Sequence, residues 1–365
     1  SAGEAVLHYP GYADGDKAVF ENAGTVTLTG FDVDADGNML HIEADNSSVT
    51  MIRKANATAK ASLEIELGYV CLNNNRSGGA VGSLYDLIVD EDGKFQFNGG
   101  ALTVEGNLEI YNDGEFIVAN NALFVEGDVL FVRGSLHNTD AGGGSITVAG
   151  DTTVGQYGSI NIKNAQTYNG SVTLNSDGKI TCGAATVTFN GSVDNNDDGT
   201  ITCGTGDVIF NDGIYSEGTI TGSSGTITFN GYFDNCGNLT ASSTATIFYG
   251  GADFLNAGTF TQPATGAVYI FTKPDDTAEK HFYTRSGLAF GDVYFGGNVS
   301  IHLDDGDVTA ANLRMLVPTD SDDNPTLIPF QTEPFTAKIV GTNSLTVTGE
   351  TRLTRISDTD GVTGT

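Results

Sequence analysis

The chain has 365 residues, with 49 glycines, no tryptophan, and 46 acidic residues against 16 basic ones for a net charge of −30. So acidic a surface repels nucleic-acid phosphates and anionic lipid headgroups, which argues against nucleic-acid binding and membrane-surface docking. No run of 18 apolar residues occurs, so no helix of this sequence is long and apolar enough to span a bilayer.

The first residues, Ser1-Ala2-Gly3-Glu4-Ala5, resemble the mature side of a signal-peptidase cut, which together with seven Asn-x-Ser/Thr sequons points to a secreted or cell-surface protein. Residues 1–82 read as an irregular β region or cap, with strands expected over 24–30 and 63–71. Between them lies the sharpest local motif, running from Asp32 to Glu43. Asp32, Asp34, Asp36, Asn38 and Glu43 match the oxygen ligands of a twelve-residue calcium loop, with Gly37 at its sharp turn. Calcium is the cofactor such a loop would take. The flanks are strands rather than the two helices of an EF-hand, and the competing reading is an Asp/Gly turn with Glu43 exposed. Asp320-Ser321-Asp322-Asp323-Asn324 is a lesser candidate of the same kind.

Over 83–272 two series of glycines return every 18 to 24 residues. One runs from Gly93 through Gly114, Gly134, Gly158, Gly178, Gly199, Gly218 and Gly237 to Gly258. The other includes Gly106, Gly127, Gly150, Gly170, Gly191, Gly213, Gly231 and Gly251. Two turn glycines in a period near 20 predict an all-β fold, a β-solenoid of stacked coils with three short strands each. One coil shows the pattern: Val187-Thr188-Phe189 is a first strand, Ser192-Val193-Asp194 a second and Thr200-Ile201-Thr202 a third, with Asn, Asp and Gly at the corners. Val187, Phe189 and Ile201 are expected inside, and Thr188, Thr200 and Thr202 outside. Stacking predicts an aromatic column of Tyr168, Phe189, Phe210, Phe229 and Tyr249. An aliphatic one is expected from Ile160, Ile180, Ile201, Ile220 and Leu239, closing on Phe260. No proline interrupts the chain between Pro10 and Pro263, as continuous strand ladders require. Cys182 and Cys203 hold equivalent places in neighbouring coils, at a spacing compatible with either a disulfide or stacked thiols. Residues 273–365 regain prolines and read as irregular β coils with longer loops.

Catalytic patterns are sparse, and no catalytic residue is assigned. The five histidines are scattered, and no nucleophile elbow or phosphate-binding loop occurs. A polysaccharide lyase would need Lys or Arg along a groove, yet residues 95–272 hold only Arg133, Lys163 and Lys179. Acid pairs such as Asp197-Asp198 and Asp304-Asp305 fit solvated turns better than a glycosidase dyad. Outward aromatics are candidate contacts for surface glycans, though those visible keep the core register.

Leu102-Thr103-Val104-Glu105-Gly106-Asn107-Leu108 followed by Gly114, with the recurring Gly-Thr-Ile-Thr, resembles the coils of secreted β-solenoid surface proteins. That group includes filamentous-haemagglutinin-type adhesins and the β-arch proteins of archaeal sheaths and surface layers. The resemblance implies a non-enzymatic, extracellular subunit whose partner is itself, polymerised head-to-tail or laterally. An adhesin that binds a host or cell partner is the alternative, and a polysaccharide-processing β-helix enzyme the second alternative.

Overall fold

The computed structural model describes residues 18–19, 21, 23–31, 39–53, 60–73, 82–98, 100–138, 143–249, 254–271, 280–284, 288–296, 299–303, 306–315 and 337–352. Among them every regular element is a strand, and the strands stack in parallel as a β-solenoid with coils about 21 residues apart. The chain forms two compact units, residues 1–183 and 184–365.

In the first unit each regular coil has three strands separated by tight corners. One coil runs Leu102–Val104, Leu108–Tyr111 and Glu115–Val118, and the next Ala122–Val125, Val129–Val132 and Ser135–Asn138. Their registers put like on like: Leu123 against Leu102, Val129 against Leu108, and Phe116 against both Phe95 and Leu136. Side chains alternate strictly along these strands, so Leu102, Val104, Leu108, Ile110, Phe116 and Val118 are buried. Each fully buried side chain of this size stabilises the fold by about 1.5–3 kcal/mol.

The corners explain both glycine series. Asp113 and Asp177 adopt left-handed φ values of 72° and 65°, a conformation Asp tolerates better than most side chains. The following glycines, Gly114 and Gly178, close those turns by donating to the carbonyls of Tyr111 and Asn175. The Asp-Gly pairs are thus turn chemistry. The second series is a matter of space: a Cβ built on Gly127, Gly150 or Gly170 would overlap the carbonyl of the preceding glycine in the series.

The region read as irregular also carries stacked strands. Ser62–Asn73 pairs with both Leu87–Val89 and Gly93–Asn98, so one long strand occupies the second and third positions of its coil. Met39–Arg53 pairs along it in the same way, with register shifts between Ile42 and Glu43 and between Ala44 and Ser48. A bulge and a left-handed residue, Asn46 at φ 48°, replace the Asp-Gly corner. Without that corner the glycine signal vanishes from the sequence while the coil persists.

The second unit repeats the scheme from Val187–Phe189, Val193–Asn195 and Thr200–Thr202 onward. Val187, Phe189 and Ile201 are buried and Thr188, Thr200 and Thr202 half-exposed, as alternation predicts. Ile201, Ile220, Leu239 and Phe260 pair in register, and Ile160 pairs with Ile180 in the first unit. The aromatic column needs one correction. Phe189, Phe210 and Phe229 stack with ring centroids 4.7 and 5.2 Å apart, but Phe248 continues the column at 5.1 Å, not Tyr249. Ala245–Tyr249 is a five-residue strand in register Phe229 to Phe248, and a one-residue step sends Tyr249 to the outer surface. Later coils merge corners again. Leu288–Gly296 and Val308–Met315 each run over two positions, the third of one coil and the first of the next.

Candidate functional site

Of the expected calcium ligands, Asp32, Asp34, Asp36 and Asn38 lie outside the described residues, as does the 320–324 cluster. Glu43 lies on Met39–Arg53, half-buried rather than exposed, with its backbone paired to Val19 and Leu67. Parallel stacking instead brings together residues one coil apart in sequence. Lys94 and His137 flank Glu115 at 2.6 Å each, on the third strands of three successive coils. Burial raises the Glu115 carboxyl, but hydrogen bonds and charge from Lys94 and His137 outweigh it and hold the group below its ordinary value. Likewise His41 meets Glu64 at 3.6 Å and Glu66 at 3.0 Å. His41 and His137, two of the histidines read as scattered, therefore sit beside carboxylates, at separations no local motif would reveal.

Hydrogen-bonded ladders follow the corners. In the first unit the Asp86 carboxylate accepts the Asn107 N–H at 2.9 Å, and Asn107 Oδ1 accepts the Asp128 N–H at 3.0 Å. Asp128 then accepts from Asp151, and Asp151 from Ser171, each at 2.8 Å. From Asn107 onward these are the residues just after the second glycine of each coil, a Gly-Asx signal legible in the sequence once that role is known. In the second unit a polar column is buried inside the core: Asn195, Ser216, Asn235 and Asn256 are each 0% exposed and stand in register. Asn235 Nδ2 donates to Asn256 Oδ1 at 2.7 Å and to the Thr259 carbonyl at 3.2 Å.

Cys71 is a buried thiol whose pKa burial raises, which makes it a poor nucleophile at neutral pH. Cys203 is a buried free thiol, so the disulfide considered for it does not form. A void of about 10 Å³ in the core of the second unit is lined by Ile270, Phe290, Val293, Phe295 and other apolar side chains, with no polar group to orient a substrate.

Among the described residues, each unit has an edge paired from one side. In the first, Ala18–Val19 and Gly24–Phe31 occupy the second and third strand positions and, among the described residues, pair only with Met39–Arg53. In the second, Ala337–Gly341 and Leu345–Val347 occupy the same two positions and, among the described residues, pair only with Val299–Leu303 and Val308–Met315. The inward columns show it. Val26 and Leu28 lie against the fully buried Val49 and Met51, yet are only half-buried themselves. Leu345 and Val347 lie against Val308 and Ala310, 3% and 2% exposed, and are likewise half-buried.

No protein-family model, curated protein or solved structure matches the chain.

Proposed function

We propose that this protein is a non-enzymatic structural subunit of the cell surface that stacks end to end with copies of itself into a filament, sheath or layer. The observation that carries the reading is the pair of free edges. Among the described residues, both offer parallel strands paired on one side at the second and third coil positions, and both leave inward apolar residues half-covered. Such an edge is a template for another chain, and natural proteins usually block it. A copy placing its Gly24–Phe31 beside Leu345–Val347 would extend the ladder and bury Val26, Leu28, Leu345 and Val347 together. The interface is heterologous and does not close, so it propagates.

Net charge of −30 opposes this packing. Divalent cations relieve the repulsion, and calcium-dependent assembly belongs to the proposal. Short corners, turn-bound Asp-Gly pairs and an apolar void favour a scaffold over a polysaccharide-processing enzyme.

Sedimentation velocity over a concentration series, with calcium and with chelator, tests the reading. Mass growing with concentration and calcium supports it. A monomer at every concentration in both conditions overturns it.

A further inference from the structure

His41 and Glu64 face each other in register on adjacent parallel strands, and the ladder shifts immediately afterwards. Ile42 pairs with Ile65 but Glu43 with Leu67, which makes Glu66 the extra residue of a bulge. Bulges re-aim a side chain, and here the result is convergence. His41 Nδ1 is 3.6 Å from Glu64 Oε2, and Nε2 is 3.0 Å from Glu66 Oε1. One donor atom from each of the three residues lies within 4.8 Å of the others. The three side chains are 15%, 22% and 23% exposed, and His41 Nε2 is buried with no hydrogen bond.

We infer that His41, Glu64 and Glu66 form a binding site for Zn²⁺ or a chemically similar divalent transition ion. Two carboxylates beside one imidazole offer negative charge that a divalent cation offsets. One nitrogen and two carboxylate oxygens are the donor set of an open zinc site, in which water completes a tetrahedron. Calcium prefers six to eight oxygen ligands and gains little from imidazole, so this site selects against it. A single ion bonds one imidazole nitrogen, so binding at Nε2 beside Glu66 requires Glu64 to turn from the Nδ1 side. The ion would clamp Met39–Arg53 to Ser62–Asn73 at a place where the bulge weakens the ladder. The idea does not depend on self-assembly.

The alternative is a plain ion pair between protonated His41 and the two glutamates, and zinc titration separates the two. Full-length protein is stripped with chelator, dialysed, and titrated with ZnCl₂ at pH 7.5 by calorimetry. The Cys236→Ser background removes the exposed thiol as a competing ligand. The expected result is one saturable site, a thermal midpoint that rises with zinc, and no displacement by excess calcium. His41→Ala should abolish binding, and Glu66→Gln should weaken it by about tenfold or more, each with the far-UV circular dichroism of the parent. If His41→Ala fails to fold, the near-isosteric Glu66→Gln decides alone. Absence of saturable zinc binding overturns the inference, and so does unchanged affinity in the substituted proteins.

Discussion

Gly237 lies directly against the carbonyl oxygen of Gly218, one coil earlier, and a Cβ on Gly237 would overlap that oxygen. The same carbonyl accepts the Asn238 N–H at 2.9 Å, so it has no room to retreat without breaking the bond between coils. Gly237→Ala should therefore cost about 3 kcal/mol, at the upper end of overpacking substitutions. Gly213 is a built-in control, since its added Cβ would meet nothing nearer than 3.8 Å. Urea unfolding should separate a strongly destabilised Gly237→Ala from a near-neutral Gly213→Ala.

Asp128 links two coils through one oxygen, accepting the Asp151 N–H at 2.8 Å. Asp128→Ala removes that acceptor at an exposed corner and should cost about 1 kcal/mol. Asp128→Asn should be close to neutral, because Asn107 performs the same task one coil earlier. Denaturant midpoints of the two variants check this.

Asn235 is fully buried and donates to both Asn256 Oδ1 and the Thr259 carbonyl. Asn235→Ala leaves buried acceptors without their donor and should cost about 2–3 kcal/mol. Asn235→Ser should cost less, since Ser216 holds the same column position. The comparison uses thermal unfolding.

Glu115 gives the fold an acid-sensitive tie. Its folded pKa lies below the ordinary 4.5, so its contribution is present at neutral pH and disappears as pH falls through the folded value. Glu115→Gln should lower stability by about 1 kcal/mol at pH 7, with the gap closing below about pH 4. Chemical denaturation at pH 7, 5 and 3.5 measures that gap.

Much of this fold was legible because each coil repeats the same physical demands. The glycines report where coils approach too closely for a Cβ, and the alternation of Val187, Thr188 and Phe189 reports which face is inward. The Tyr249 error arose because period counting cannot see a one-residue step inside the longer strand Ala245–Tyr249. The coil at Met39–Arg53 was hidden because a bulge turns its corner where others use Asp-Gly. The convergence of His41 with Glu64 and Glu66 could not be read locally. It depends on knowing that residues about 23 apart become neighbours, and on a register shift that aims Glu66. Which strands stand at the edges is legible only in the pairing of Gly24–Phe31 and Leu345–Val347.

The most direct test of the central claim is negative-stain electron microscopy of the full chain in calcium, beside a variant blocked at one edge. Outward residues donate to the preceding coil, as Thr219 does to Gly199, so Thr27→Pro removes an edge-facing donor from Gly24–Phe31 and leaves every inward side chain in place. End-to-end stacking predicts filaments, hoops or sheets from the parent chain and single particles from Thr27→Pro. Single particles from both proteins, or assemblies that the proline leaves unchanged, would contradict it.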